Sequence, residues 1–156
     1  MPEASAADDE VFIGAAFDQS GPTSDAGIPY SNGVRDYVDW HNAKGGVRRV
    51  RLMYQDSAYD PKKAVLAAQK LVNQDKIFAM VAHIGTPTNN AAMPVQFEKN
   101  VPNLFPITAA REMSEPLHKL KFALGSSYYD QMRTTLPRLI KEKGAKKVCT
   151  IYQDDD

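Results

Sequence analysis

The sequence predicts an α/β fold: a parallel sheet flanked by helices. Short apolar runs alternate with segments whose apolar residues recur at helical spacing, and each run ends in a cluster of turn residues. Helix start and stop signals, notably Asp60-Pro61 and Lys44-Gly45-Gly46, fall between the runs. Strands this apolar are buried on both faces, and helical connections between them call for right-handed crossovers in a parallel sheet.

Val11 to Phe17 is the first strand, ending at Asp18-Gln19-Ser20-Gly21-Pro22. Ile28, Val34, Tyr37, Val38 and His41 then mark one face of a helix that Lys44-Gly45-Gly46 stops. Val50 to Tyr54 is the second strand. Asp60 caps the next helix, with Pro61 at its first position and Ala64, Ala67, Ala68, Leu71 and Val72 as its buried stripe. Ile77 to Ala82 is the third strand, followed by a helix with Ala91, Ala92 and Val95 on one side, and Asn103 to Ile107 is the fourth. Lys121 to Leu124 is a short strand. A helix with Met132, Leu136, Leu139 and Ile140 on its inner face follows, and Lys146 to Tyr152 is expected to be the last strand. Pro94 and Pro137 fall inside expected helices, where a late start or a kink is the expected consequence.

Lys plus Arg and Asp plus Glu both number 19, so there is no basic field for a nucleic acid partner. The single cysteine, Cys149, excludes an internal disulfide and a cysteine-based zinc site; it reads as a small core residue on the last strand. His41, His83 and His118 are too far apart in sequence to form a local metal motif. No apolar stretch reaches the about 18 residues that span a bilayer. Residues 1–10 read as an acidic, disordered tail with neither the basic nor the apolar part of a secretory signal, so any signal is expected to have been removed.

In open parallel sheets ligands sit beyond the carboxyl ends of the strands, where loops and helix starts converge. Those loops carry Gln19 and Ser20, Ser57, Gly85 with Thr86 and Thr88, Thr108, and Ser126 to Tyr129. Gly85-Thr86-Pro87-Thr88 is the most informative, because glycine admits close backbone approach and a hydroxyl beside free N–H groups suits a carboxylate. Thr86 or Thr88 read equally well as the cap of the following helix. Arg111 is a secondary candidate for pairing with a carboxylate, and Phe17, Phe105, Tyr128 and Tyr129 are candidates for an aromatic wall. The sequence contains no G-x-S-x-G elbow, P-loop, zincin helix or dinucleotide fingerprint, which disfavours an enzyme, and no cofactor is expected.

The runs Ile13 to Ala16 and Ser20-Gly21-Pro22, then Asn42 to Val47, then Tyr54 to Ala64, resemble the leucine/isoleucine/valine-type substrate-binding proteins of ABC importers. The likeness continues through Thr86, Pro106 to Ala110 and Asp130-Gln131. The resemblance implies a flavodoxin- or Rossmann-like type I periplasmic-binding lobe that closes on its ligand by a hinge. It implies a first lobe over residues 11–125, and a crossover helix and first strand of a second lobe over 126–156. It also implies that Thr86 and Thr108 to Ala110 grip a ligand carboxylate, with Tyr128 at the crossing. By the same resemblance the ligand is a small carboxylate, an amino acid or an aromatic acid. The partners are membrane permease subunits, and the location is periplasmic or otherwise extracytoplasmic. Ala26, a methyl group where leucine-type binders tend to carry an aromatic, leans toward bulkier carboxylates. Family members are considerably longer, so self-association of the 156-residue chain is a further expectation. A ligand-sensing domain of a receptor and, less favoured, an enzyme of flavodoxin-like or Rossmann-like fold are the alternatives.

Overall fold

The computed structural model describes residues 10–45 and 47–154; the expected tail at 1–10 lies outside them except for Glu10. Five strands form one parallel sheet: β1 (Glu10–Phe17), β2 (Arg49–Asp56), β3 (Ala79–Val81), β4 (Asn103–Leu104) and β5 (Lys121–Phe122), in the order β2-β1-β3-β4-β5. Among the described residues four α-helices accompany it: α1 (Ser24–Ala43), α2 (Pro61–Gln69), α3 (Thr86–Glu98) and α4 (Tyr128–Lys143).

β1 pairs with β2 along its whole length, and the chain then crosses to the other side of β1 to start β3. This reversal puts α1 on one face of the sheet and α2 with α3, packed side by side, on the other. Asp60 caps α2 by accepting from Lys62 N and Lys63 N at 2.7 and 3.2 Å, with Pro61 at the first position as expected. Ala64, Ala67 and Ala68, with Leu71 and Val72 from a single π-helical turn at Lys70–Gln74, bury the expected stripe. They pack against Ile77, Met80, Ala92 and Val101. Burying each of the larger side chains contributes roughly 1.5–3 kcal/mol.

The other helical faces differ from expectation. In α1 the buried residues are Gly27 and Ser31, while Ile28 and Tyr37 are exposed. The helix is drawn in at Gly27, where a Cβ would stand 1.8 Å from Asp18 O, so its start lies on the loop after β1. Further along, Tyr37 and Val38 flank an open apolar groove over Val81, Leu104 and Leu124. Of the expected Ala91, Ala92 and Val95 face of α3, Ala92 is buried and Val95 packs against the core half-buried, but the buried set extends to Thr88, Asn89, Met93 and Gln96, and Ala91 is only half-buried. α4 buries nothing: Met132 and Leu139 are exposed because no second layer lies on that face among the described residues. Pro94 and Pro137 lie within continuous helices, and so does Pro29, which the sequence reading passed over.

Residues 146–152 form no strand, and Cys149 is exposed rather than in the core. A strand exists only where a neighbour completes its backbone hydrogen bonds, and none lies beside this run among the described residues. The fourth strand is similarly shorter than its apolar run. Phe105 adopts φ 54°, so the ladder breaks after Leu104 and resumes as one bridge between Ile84 and Ile107.

Candidate functional site

The strand-end loops differ in whether their own polar groups use up their donors. After β1, the buried Asp18 carboxylate accepts from Gly21 N, Thr23 N and Thr23 Oγ1 at 2.6, 2.8 and 2.5 Å. Gln19 donates its backbone N–H to Asp56 Oδ1 at 2.9 Å and its Nε2 to Ser31 Oγ at 3.1 Å. Ser20 Oγ donates to Asp56 Oδ2 at 2.5 Å. This loop is closed on itself, and Gln19 is held toward α1 and β2.

The loop after β3 is built the opposite way. Gly85, at φ 94° and ψ 148°, lies in a region that glycine occupies freely, and this turn aims the start of α3 past the end of the sheet. Gly85 is not a side-chain cap. Thr88 Oγ1 bonds back to Ile84 O and, at 3.1 Å, to Gly85 O. The N–H groups of Thr86 and Thr88 have no acceptor among the described residues, as expected for the first turn of a helix. Of the two threonines, Thr88 is therefore the structural one.

Thr86 Oγ1 lies 2.6 Å from Thr108 Oγ1, and Thr108 Oγ1 also accepts from Ala110 N at 3.1 Å. Two hydroxyls that share one hydrogen bond have one proton left, so the pair always offers a single O–H to a third group. Backbone bonds hold the two loops together beneath them: Gly85 N donates to Ile107 O at 3.2 Å and Ile107 N to His83 O at 2.9 Å. Asn89 Nδ2 reinforces the turn by donating to His83 O and Gly85 O at 3.0 and 2.6 Å.

Above the pair is a cavity of about 580 Å³. Gly85, Thr86, Thr108, Ala110 and Tyr128, all singled out in the sequence, line it together. The sequence reading did not select Tyr59, Ile107, Glu112 or Met132, which line it too. Tyr59 was within reach of that reasoning, since it follows the Ser57 turn after β2; its ring lies against Gly85, 2.5 Å from where a Cβ would be. Glu112 sits on a short 3-10 turn, Arg111–Met113, which periodicity does not reveal.

Arg111 is turned elsewhere: its guanidinium lies 4.3 Å from the Tyr129 ring centroid and 3.3 Å from Glu115. The aromatic wall is not assembled. Phe17 is core beneath Tyr30 and Tyr54, Phe105 faces the groove beside α1, and Tyr129 is covered by Arg111, which leaves Tyr128. Ala26 is exposed on α1 and does not line the cavity. His83 is fully buried with neither ring nitrogen hydrogen-bonded within the described residues, and burial lowers its pKa to about 4. It is a neutral packing residue. No group of three or more metal-ligating side chains occurs among the described residues.

The parallel sheet with its topological reversal carries, at its carboxyl end, a hydroxyl pair with free N–H groups beside it. The chain belongs to the periplasmic binding protein family, whose model matches residues 10–156. It is 28% identical over 148 residues to an "Amino acid binding protein" of Pseudomonas aeruginosa, covering 94% of this chain and 40% of that one. It is also similar to a branched-chain amino acid ABC transporter protein of Thermus thermophilus solved with bound valine, at TM-score 0.72 and 28% identity over 86% of this chain and 35% of that one. A substrate-binding periplasmic protein of Ralstonia solanacearum shares the fold at TM-score 0.78 and 24% identity, over 85% and 38%. The chain thus spans about two fifths of the length of the curated relatives it matches. The leucine/isoleucine/valine-type resemblance and the α/β lobe are borne out.

Proposed function

We propose that this chain is the ligand-gripping lobe of a solute-binding protein that captures a small carboxylate of the amino acid class and delivers it to the membrane permease subunits of an ABC importer. One observation carries the reading: Thr86 and Thr108 present a shared hydroxyl proton, beside unpaired N–H groups, at the start of a 13-residue helix. A carboxylate is the ligand such a corner favours, because its two oxygens accept from the hydroxyl and the helix N–H groups while the helix dipole stabilises its charge. Gly85 lets the ligand approach the backbone, Ala110 continues the same wall, and Tyr128 bounds it. An extracytoplasmic location accompanies this reading, and the family's description as periplasmic supports it. Residues 11–125 as a first lobe, with 126–156 starting a second, is the domain division that accompanies this reading.

The test is titration calorimetry with L-valine and L-leucine on this chain and on its Thr86→Ala variant. Binding that weakens about tenfold in the variant supports the carboxylate corner. Equal affinity in both removes Thr86 from the site, and a response to nucleotides alone would replace the transport reading.

A further inference from the structure

The turn that carries Thr86 is held from below by a buried amide pair. Asn89, fully buried on α3, donates from Nδ2 to His83 O and Gly85 O at 3.0 and 2.6 Å, and its Oδ1 accepts from Asn103 Nδ2 at 3.0 Å. Asn103 belongs to β4, the strand that leads into Thr108, and is buried as well. One amide therefore ties the loop after β3 to the strand before the second hydroxyl, and neither asparagine lines the cavity.

The backbone does not need these bonds. His83 O also accepts from Ile107 N at 2.9 Å, and Gly85 O from Asn89 N at 3.2 Å and Thr88 Oγ1 at 3.1 Å, so both carbonyls keep a donor without the side chain. Asn103 Oδ1 has no hydrogen-bond partner among the described residues, and α3 buries the apolar Ala92 and Met93 on the same helix. Apolar side chains of similar shape at both positions would leave no polar group buried and unpaired, a replacement that is nearly neutral or stabilising. Apolar contact, however, does not fix distance and direction as a hydrogen bond does. The hydroxyl pair depends on that precision: an O–H···O bond spans about 2.5–3.0 Å, so moving the two loops apart by about 1 Å breaks the contact between Thr86 and Thr108. We propose that Asn89 and Asn103 are positioning residues, which hold the Thr86 and Thr108 loops in register and so set the affinity for a carboxylate they do not touch; this rests on the carboxylate reading of Thr86 and Thr108.

The experiment measures urea stability and calorimetric affinity for L-valine and L-leucine on this chain, on the Asn89→Leu/Asn103→Leu double variant, and on both with Thr86→Ala added. The expected result is a split between the two readouts: the double variant unfolds at the same or a higher urea midpoint, yet binds about tenfold more weakly. A purely structural role would lower both together. In the Thr86→Ala background the same two changes should weaken binding by less than about threefold, because with one hydroxyl gone no pair remains to be held in register. Unchanged affinity in the double variant, or a loss as large without Thr86 as with it, overturns the inference. If the double variant does not fold, Asn103→Ala, which removes only the tie to β4, decides: weaker binding by a folded chain supports the positioning role, and equal binding ends it. If Thr86→Ala weakens binding and the asparagine variants do not, the carboxylate reading stands and the positioning inference alone fails. If neither amino acid binds the unaltered chain, both fail.

Discussion

Thr86 Oγ1 and Thr108 Oγ1, from loops that follow different strands, stand 2.6 Å apart, and Ala110 N donates to the second of them at 3.1 Å. Neither hydroxyl acts alone, since each sets the direction in which the other's proton points.

Thr86→Ala and Thr108→Val should each weaken carboxylate binding by about tenfold, because a hydrogen bond to a charged group is worth roughly 1.5–3 kcal/mol and each tenfold is about 1.4 kcal/mol. The double variant should lose more than either single one, because each single variant still keeps one hydroxyl that can donate and the double keeps none. Calorimetric titration of all three variants checks this; fully additive losses would mean that the hydroxyls act independently.

Gly85→Ala should destabilise the chain by about 2 kcal/mol or more and abolish binding. Its φ of 94° lies where other residues are strained, and the new methyl would fall 2.5 Å from Tyr59 Cε2 and 2.8 Å from Thr88 Oγ1. Urea denaturation gives the stability. A loss of less than about 0.5 kcal/mol would show that the loop relaxes at little cost.

Stability should fall as the pH drops from 6.5 toward 4. Burial holds His83 neutral in the fold, with its pKa lowered from 6.5 to about 4, so between those values only the unfolded chain takes up the proton. The contribution is complete above pH 6.5, declines through that window and levels off below about 4, for a total of up to about 3 kcal/mol. Asp56 acts in a different window. Desolvation raises its pKa, but hydrogen bonds from Ser20, Gln19 and Ala58 outweigh this and lower it, so its contribution is lost only as the pH falls below the ordinary Asp value of 3.8. Urea midpoints between pH 4 and 7 should therefore flatten in His83→Gln, and an unchanged slope would assign the effect to other groups.

Arg111→Ala should change carboxylate affinity by less than about threefold, since its guanidinium is engaged by Tyr129 and Glu115 outside the cavity lining. A loss of tenfold or more would mean that the side chain leaves Tyr129 to meet the ligand.

Much of the fold was legible because it is written locally. The Asp60-Pro61 cap and the stripe from Ala64 to Val72 are correct in the sequence because capping and helical periodicity act over a few residues. The inner faces of α1 and α4 were not legible in the same way. Tyr37, Met132 and Leu139 have core-like spacing, yet each is exposed, because spacing says which residues lie on one side of a helix and not whether anything covers that side.

By itself the sequence determined the parallel α/β class and pointed to Gly85-Thr86-Pro87-Thr88 as the most informative strand-end loop, since the glycine, the proline and the two threonines carry that signal within four residues. It also determined that Thr86, Thr108, Ala110 and Tyr128 belong to strand-end segments. The tertiary structure decided which of these meet. Thr108 lies 22 residues from Thr86 and comes within hydrogen-bonding distance only because β3 and β4 are neighbours and Gly85 N and Ile107 N tie their loops together. It likewise decided that Gln19 and Arg111 are held by other groups while Glu112 faces the cavity. The positions of side chains across a sheet depend on strand order and on competition for partners, and a single chain read in order records neither.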